Sequence, residues 1–212
     1  MRQRKIKDLE DKLREYQPFI AGNPKDHKGK WKELFGNDHP IYLEIGCGKG
    51  QFIMENVKRY PERNFIAVEG HESVVLRALQ KAGETEPKNL YFVLEYIQDI
   101  REYFEEGELA GIYLNFSDPW PKERHAKRRL TYGERLVQYC ELLGRDGFVQ
   151  FKTDNEGLFS FTLEQIEEKN LEIMAISRDL HHSELAAENI TTEYEDKFAR
   201  TGKNINYVKI RA

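Results

Sequence analysis

The segment LEIGCGKG, residues 43–50, has an acidic residue directly ahead of a glycine-rich turn. Glycine permits a sharp turn and leaves the backbone open to a ligand. A dinucleotide-binding turn would need glycine where this chain has Gln51, and a P-loop would need serine or threonine after its Gly-Lys pair. Glu44 would repel a pyrophosphate but would attract a ligand that carries an ammonium and a sulfonium. The turn therefore predicts a cationic ligand bound close to Gly46, Gly48 and Gly50.

Glu69 ends the predicted strand NFIAVE, residues 64–69, nineteen residues after Gly50. Doubly wound folds place an acid at this position, where it accepts hydrogen bonds from both hydroxyls of a ribose. A ribose-binding acid beside a site for an ammonium and a sulfonium matches S-adenosylmethionine. We therefore predict this methyl donor as the cofactor.

A rigid acidic corner, residues 117–121 with the sequence SDPWP, follows the predicted strand GIYLNF, residues 111–116. Ligands of a doubly wound sheet bind beyond the carboxyl ends of the strands, so Asp118 is expected to point into the ligand cleft. The two prolines restrict the backbone on both sides of Trp120 and lower the entropy lost in holding a catalytic geometry. Trp120 itself is expected to pack, with stacking on a base as the alternative.

Positive charge is concentrated in the next segment, residues 122–129, which we call the basic strip. Lysine and arginine bind phosphate oxygens, but such contacts carry little sequence information. A solvated surface is the alternative for any charge cluster taken alone. Beside a methyl donor, however, the strip predicts a large polyanionic substrate. Its cationic residues and its histidine are Lys122, Arg124, His125, Lys127, Arg128 and Arg129.

The order of elements predicts the frame that positions these residues. Short segments rich in β-branched and aromatic residues indicate strands, and they alternate with helix-like segments. Such alternation predicts an α/β, doubly wound, Rossmann-like sheet, mostly parallel and with an antiparallel C-terminal strand. The predicted strands are 41–45, 64–69, 89–94, 111–116, 147–152, 171–177 and 205–210, and the predicted helices are 50–59, 72–83, 98–105, 132–143 and 157–169.

A length of 212 residues fits a single domain, residues 1–212. Residues 1–40 are predicted to form a helical, basic extension ahead of the first strand. The segment 179–204 is polar, and it is longer than most connections that have no function within a compact domain. It therefore predicts a functional, substrate-binding loop.

Composition narrows the class of protein. No apolar run is long enough to span a bilayer and no secretory signal is evident, so a soluble cytoplasmic protein is expected. The two cysteines, Cys47 and Cys140, lack metal-ligand spacing, and no metal site or disulfide framework is predicted. A net charge of -4 argues weakly against nucleic acid, but positive charge gathers in residues 2–7 and in the basic strip. No heptad seam indicates an oligomeric state.

Four segments together resemble one family. LEIGCGKG with its leading acid is similar to motif I of the class I methyltransferases, and SDPWPKERHAKRRL, FKTDN and TEYEDKF follow it. In this order they resemble the bacterial tRNA (guanine-N7-)-methyltransferases, from about residue 15 to the C-terminus. The resemblance implies methyl transfer from S-adenosylmethionine to N7 of a guanine in the variable loop of tRNA, at position 46.

The resemblance also implies roles for individual residues. Asp118 would be catalytic and would line the cofactor site together with Glu44, Glu69 and the three glycines. Many family members hold the adenine with an Asp or Asn after the third strand, where this chain has Glu95 and Tyr96. We assign this contact to Tyr96, with Glu95 as the alternative. Contacts to the target nucleotide would come from Lys122, Asp154, Thr192, Glu193, Tyr194 and Glu195, and contacts to the RNA from Arg124, His125, Lys127, Arg128 and Arg129.

Guanine N7 carries an exposed lone pair, so its methylation needs no general base, and Asp118 would act by position and charge. Asp154 would accept hydrogen bonds from the guanine N1 and N2 edge. DPW is also similar to the D/N-P-P-Y/W motif of methyltransferases acting on adenine N6 or cytosine N4, but the second proline is missing here. A nucleotide-dependent oxidoreductase and a non-enzymatic RNA-binding protein on a methyltransferase shell are the remaining alternatives.

Overall fold

The computed structural model describes residues 6–199 and 201–212, so Arg2, Arg4 and Lys5 of the basic N-terminus lie outside the described residues. Contacts divide the chain into two compact units. We call them the N-terminal unit, which ends at Phe104, and the C-terminal unit, Glu105–Ala212. In the part of the chain that is described, no helix is both long and apolar enough to cross a bilayer.

The N-terminal unit contains the strands β1 (Ile41–Ile45), β2 (Asn64–Val68) and β3 (Leu90–Val93), and the helices α1 (Leu9–Arg14), α2 (Trp31–Phe35), α3 (Gln51–Arg59) and α4 (Glu72–Thr85). The strands are parallel, as predicted, and their order is β3-β2-β1. Ile45 pairs with Val68, and Val68 pairs with Val93, so the carboxyl ends of the three strands meet at one edge. Residues that follow these ends are therefore neighbours although they are distant in sequence.

Helices α3 and α4 are amphipathic, and their apolar faces pack against the sheet of this unit. Ile53 and Val57, one helical turn apart on α3, share a core with Val75 and Leu79 of α4 and with Phe65 of β2. All five residues of β2 are buried, as expected for the central strand of a parallel sheet. This packing fixes the turn between β1 and α3.

Trp31 anchors the N-terminal extension to the end of the same unit. Its side chain is fully buried, and its indole N–H donates a hydrogen bond to the carbonyl oxygen of Tyr103 at 2.9 Å. Its ring stacks on Phe104 with a centroid distance of 5.4 Å. The segment 98–105, predicted as a helix, forms only a 3-10 turn at Ile100–Glu102, because this aromatic packing takes over directly after the turn.

The C-terminal unit contains the strands β4 (Leu109–Asn115), β5 (Leu143–Thr153), β6 (Glu172–Ser177) and β7 (Asn206–Arg211), and the helices α5 (Gly133–Glu141), α6 (Glu156–Glu168) and α7 (Glu193–Ala199). The order of strands in this unit is β4-β5-β7-β6. β4 and β5 are parallel, whereas β7 is antiparallel to β5 and to β6, as predicted for the C-terminal strand. Strand β5 begins before the predicted residue 147.

The register of β5 determines which residues meet at its carboxyl end. Asn115 of β4 pairs with Lys152, and Thr153 pairs with Asn206 at the start of β7. The backbone N–H of Phe116 donates to the carbonyl oxygen of Lys152 at 2.9 Å. The residues after β4, after β5 and before β7 therefore share one edge of this sheet.

Within the segment 179–204, predicted as a functional loop, the described residues 179–199 form short elements. Two 3-10 turns, Leu180–His182 and Glu184–Glu188, precede helix α7. Leu180 is buried with Ile205 and Tyr207 in a small apolar cluster. The loop is thus attached to β7 by its own hydrophobic residue.

Candidate functional site

The glycine-rich turn after β1 leaves open space above its backbone. The N–H groups of Gly46 and Cys47 both donate to the carbonyl oxygen of Val68, at 2.8 and 2.9 Å. Gly46 and Gly48 have φ values of +82° and +58°, and a Cβ atom added to either would meet nothing within 4 Å. A side chain at either position would occupy space that a ligand could use.

Gly50 has a different role in the same turn. Its φ is +84°, it is buried, and helix α3 begins at the next residue. A Cβ atom at this position would lie 2.6 Å from Cβ of Ala78 in α4. Gly50 therefore permits the close packing of α3 and α4, and its cofactor contact stays a prediction.

Glu69 lies beside the turn and is fixed by two backbone groups. Its Oε2 accepts a hydrogen bond from the N–H of Gly48 at 3.1 Å, and its Oε1 accepts one from the N–H of His71 at 2.9 Å. The residue is only partly buried. Each carboxylate oxygen keeps a further lone pair, so both can accept a hydrogen bond from a ribose hydroxyl.

Glu44 is the second-last residue of strand β1 and is almost completely buried, with 1% of its surface exposed. A carboxylate with so little solvent needs compensating positive charge or hydrogen bonds. An ammonium group bound near the turn would supply such charge. The open glycine turn thus has a buried carboxylate, Glu44, before it and a partly buried one, Glu69, beside it.

Tyr96, not Glu95, is the exposed residue after the third strand. Glu95 accepts a hydrogen bond from the hydroxyl of Tyr103 at 2.6 Å, and burial together with this bond raises the pKa of Tyr103. The Tyr96 side chain is 59% exposed, and its ring lies so close to Gly70 that a Cβ atom there would be 2.5 Å away. Tyr96 is therefore available beside Glu69, while Glu95 is engaged elsewhere.

In the C-terminal unit, the corner after β4 contains backbone conformations that are rare for residues with side chains. Phe116 has a φ of +51° and Trp120 a φ of +40°. Asp118, between them, is exposed. Strain of this kind persists only where the surroundings enforce it, and it is concentrated at functional sites.

Arg129 holds this corner in place. Its Nε donates to the carbonyl oxygen of Pro119 and its Nη2 to that of Trp120, each at 3.1 Å. Its guanidinium carbon lies 4.2 Å from the centre of the Phe161 ring. The resemblance implies that Arg129 contacts the RNA, and this stays a prediction. The observed contacts link it to the backbone beside Asp118.

The basic strip is a short 3-10 helix, Glu123–Arg128, beside the corner. Arg128 lies over the Trp120 ring, with 4.9 Å between the guanidinium carbon and the ring centroid, and His125 approaches the same ring edge-on. Trp120 thus packs against the strip. The cationic residues of the strip that are exposed to solvent are Lys122, Arg124, Lys127 and Arg128.

Asp154 follows β5 and lies close to an aromatic cluster. Its carboxylate Oδ2 is 3.0 Å from Nζ of Lys203. Tyr194 is 44% exposed, and its ring packs between Phe198 and Phe116 at centroid distances of 4.3 and 5.1 Å. Burial and the Asp154 carboxylate raise the pKa of Tyr194. Two predicted nucleotide-contacting residues, Asp154 and Tyr194, are therefore neighbours.

Glu195 is fully buried, unlike Tyr194. Its Oε2 accepts a hydrogen bond from Nζ of Lys152 at 2.7 Å, and the side chains of both residues are fully inaccessible to solvent. Its Oε1 is bonded to His181 at 2.7 Å and to Nδ2 of Asn189 at 2.6 Å. We call this set of residues the buried lock. It attaches the segment 181–195 to strand β5.

Thr192 and Glu193 complete the predicted nucleotide-contacting segment. Thr192 is buried and its Oγ1 accepts a hydrogen bond from the N–H of Glu195 at 2.9 Å, which is a helix N-cap contact. Glu193 is partly buried in the first turn of α7. Within TEYE, Tyr194 is the most exposed residue.

Sequence reasoning did not identify Lys152 and Lys203. A lysine at the end of the predicted strand GFVQFK, directly after Phe151, was a usable signal for Lys152. Lys203 gave no such signal, because it is brought to Asp154 only by the pairing of β5 with β7.

The sequence between residues 38 and 208 matches a family described as putative methyltransferase. The chain is 50% identical to the tRNA (guanine-N(7)-)-methyltransferase of Brevibacillus brevis, over 99% of this chain and 97% of that protein. It is 47% identical to the protein of the same name from Bacillus cytotoxicus, over 95% and 92% of the two chains. For the Bacillus subtilis protein of that name, the identity is 45% over 97% and 96%.

Solved structures with a similar fold include methyltransferases. An antibiotic-related methyltransferase superposes with a TM-score of 0.63 at 12% identity, covering 88% of this chain and 92% of that one. Aeropyrum pernix fibrillarin, solved with natively bound S-adenosyl-L-methionine, gives a TM-score of 0.53 at 15% identity, covering 82% and 66%. The similarity confirms the predicted α/β methyltransferase fold.

Proposed function

The chain belongs to the tRNA (guanine-N(7)-)-methyltransferase family, and we propose that it transfers a methyl group from S-adenosylmethionine to N7 of a guanine in the variable loop of tRNA. The observation that carries this proposal is the near full-length identity to proteins of that name. The reaction takes place in the cytoplasm, where tRNA is modified.

Residues of the N-terminal unit fit an adenosyl group with an amino acid tail. The open space over Gly46 and Gly48 admits a ligand against the backbone, and Glu69 offers two fixed acceptors to the ribose. Tyr96 would contact the adenine and Glu44 would attract the ammonium. When bound, S-adenosylmethionine supplies a methyl group activated by its sulfonium.

Asp118 is the catalytic residue of this proposal. The N7 lone pair of guanine forms the new N–C bond while the C–S bond breaks, so positive charge moves from sulfur to the purine. A fixed carboxylate close to this path favours the cationic transition state. Arg129 keeps the backbone at Pro119 and Trp120 in place, so that little reorganisation of the corner accompanies the reaction.

The C-terminal unit also provides the contacts to RNA. Arg124, Lys127 and Arg128 bind phosphate oxygens, and Lys122 contacts the target nucleotide at the edge of the strip. Tyr194 presents an exposed ring on which the extruded guanine can stack, as enzymes that act on single bases commonly require. Asp154 accepts hydrogen bonds from the guanine edge.

The experiment is incubation of the purified protein with methyl-labelled S-adenosylmethionine and unmodified tRNA transcripts, followed by nucleoside analysis. Label in N7-methylguanosine is the expected result. Label in N6-methyladenosine or N4-methylcytidine would overturn the family-based substrate and favour an amino-methyltransferase. Binding of tRNA and cofactor without any label would favour an RNA-binding protein on a methyltransferase shell.

A further inference from the structure

Lys203 and Asp154 are brought together by the strand pairing of the C-terminal unit. Asp154 directly follows β5, and Lys203 lies three residues before β7. Because Thr153 pairs with Asn206, the chain that enters β7 passes the chain that leaves β5. The Lys203 ammonium is then 3.0 Å from Oδ2 of Asp154.

The turn after α7 fixes the direction from which Lys203 arrives. The N–H and Oγ1 of Thr201 both donate to the carbonyl oxygen of Phe198, at 2.9 and 2.7 Å. Gly202 has a φ of +73° and donates to the carbonyl oxygen of Ala199 at 3.0 Å. The tight turn places Nζ of Lys203 4.9 Å from the centre of the Phe198 ring.

An exposed aromatic surface lies next to this ion pair. Phe198 packs against Tyr194, whose ring is 44% exposed. Nζ of Lys203 lies 4.9 Å from the centre of the Phe198 ring, and that ring is 4.3 Å from the ring of Tyr194. Burial and the Asp154 carboxylate raise the pKa of Tyr194, whereas the Lys203 ammonium lowers it. Within one small region the protein therefore offers a ring for stacking, a carboxylate and an ammonium.

The Asp154 carboxylate is more deeply buried than the Lys203 ammonium. The side chain of Asp154 is 13% exposed, whereas that of Lys203 is 53% exposed. An ion pair with an exposed partner contributes at most about 1 kcal/mol to stability. Stability is therefore a weak reason for this arrangement.

The chemistry of the pair matches one purine. The Watson–Crick edge of guanine presents the O6 acceptor beside the N1–H and N2–H donors. A carboxylate can accept from N1 and N2, while a neighbouring ammonium can donate to O6, because a lysine has three N–H groups. Adenine presents a donor at position 6 and an acceptor at N1, so both of its groups would oppose the pair.

We propose that Lys203 is a specificity-determining residue, and that the Asp154–Lys203 pair reads the O6, N1 and N2 groups of the target guanine while it stacks on Tyr194. This inference rests on the proposed function, which supplies guanine as the substrate. It assigns a donor to O6, an atom of the guanine for which no contact is predicted from the sequence. Since the ammonium stays beside Asp154, its charge opposes the cationic methylated base only weakly.

The test compares Lys203→Met with wild type on three tRNAs, which carry guanosine, 6-thioguanosine or inosine at the target position. Sulfur at position 6 weakens the acceptor facing Lys203, and inosine lacks the N2 amino group facing Asp154. Lys197→Met is the matched control, because its Nζ lies 5.5 Å from the centre of the same Phe198 ring. Lys203→Arg tests whether a donor restores the function, and thermal unfolding checks that each variant is folded.

The expected result is a fall of about tenfold in kcat/KM for Lys203→Met on guanosine, since hydrogen bonds to charged groups have roughly this effect. The ratio of guanosine to 6-thioguanosine rates should be lower in this variant than in wild type, while the ratio of guanosine to inosine rates stays at the wild-type value. Comparing each ratio between variant and wild type cancels the intrinsic difference in N7 reactivity. Lys203→Arg should recover activity, and Lys197→Met should match wild type.

Unchanged or faster turnover by Lys203→Met, or an unchanged response to sulfur, would overturn the inference. Lys203 would then only form a surface ion pair with Asp154, or would compete with guanine for the Asp154 carboxylate. These results leave the proposed function standing, because methyl transfer is still observed. If wild type itself forms no N7-methylguanosine on the guanosine tRNA, the proposed function fails and this inference fails with it.

Discussion

The acidic residues of the candidate site differ in burial, and their proposed roles differ accordingly. Asp118 is exposed on a strained corner, which suits a carboxylate that must meet a reacting base. Glu69 is fixed by two backbone N–H groups and suits the binding of a ribose. Glu195 is fully buried with Lys152, so its proposed effect on substrate binding is indirect.

Gly50→Ala is expected mainly to lower stability, whereas Gly46→Ala is expected mainly to weaken cofactor binding. At Gly50 the new Cβ would lie 2.6 Å from Ala78, and overpacking plus left-handed strain should lower the free energy of unfolding by about 3 kcal/mol. At Gly46 only the strain applies, about 1 kcal/mol, but the methyl group enters the space proposed for the cofactor. Urea unfolding and calorimetric titration with S-adenosylmethionine measure the two effects.

Gly36→Ala is the control for these two variants, because Gly36 also has a positive φ with open space around it. It should cost stability without affecting cofactor affinity. Wild-type affinity for S-adenosylmethionine in Gly46→Ala would contradict the assignment of the glycine turn to the cofactor.

At the level of elements, the segment containing α7 is attached to β5 by the buried lock. Lys152 donates to Glu195, to Asn189 and to the carbonyl oxygen of Ile190. A lysine with three acceptors and no exposed surface is a satisfied buried charge. The lock therefore sets the position of the neighbouring exposed Tyr194.

Lys152→Met should lower the free energy of unfolding by about 3–5 kcal/mol, because it leaves the Glu195 carboxylate buried without its cation. The double variant Lys152→Met/Glu195→Gln removes both charges and should recover most of this loss. If Glu195 acts by holding the segment, the double variant also recovers the KM for tRNA. Thermal unfolding and steady-state kinetics provide the two measurements.

A stable double variant that still fails to methylate tRNA would instead indicate direct contact of Glu195 with the nucleotide. Arg211→Met is the control for these changes, since the pair between Arg211 and Glu172 is exposed and should matter little.

Local patterns allowed the strands, their parallel direction and the glycine-rich turn after β1 to be predicted, because each depends on neighbouring residues. The glycine turn after β1 and the corner after β4 are of this kind. The Lys203–Asp154 pair and the lock of Lys152 depend on which strands meet, which composition does not reveal. The segment 98–105 was predicted as a helix, but Phe104 stacks on Trp31 and the carbonyl oxygen of Tyr103 accepts a hydrogen bond from the Trp31 indole instead.

For the molecule as a whole, the distribution of charge matters more than its sum. The net charge is -4, yet exposed cations cluster in the basic strip next to the corner. Binding of a polyanion depends on such local clusters, and it weakens as salt increases because counterions are released. The acidic total does not oppose tRNA as the substrate.

Replacing Arg124, Lys127 and Arg128 together by glutamine should weaken tRNA binding and reduce the slope of log Kd against log salt by about 2. Affinity for S-adenosylmethionine should be unchanged. The control replaces three exposed cations of the N-terminal unit, Lys58, Arg59 and Lys88, and so has the same net charge. Equal salt slopes in the two triple variants would contradict a specific role of the strip.

We propose that Asp118 supports methylation of N7 of one guanine in the variable loop of tRNA. Borohydride and aniline cleave RNA at N7-methylguanosine, so the cut sites in a treated transcript show which guanine was methylated. Wild-type protein should yield a single cut in the variable loop. The control Asp146→Asn, which removes an exposed acid elsewhere, should yield the same cut. Asp118→Ala should lower the rate at which this cut site appears at least about 100-fold. Cuts at other guanines would contradict the proposed position of methylation. A variable-loop cut that forms at the wild-type rate with Asp118→Ala would contradict the proposed role of Asp118.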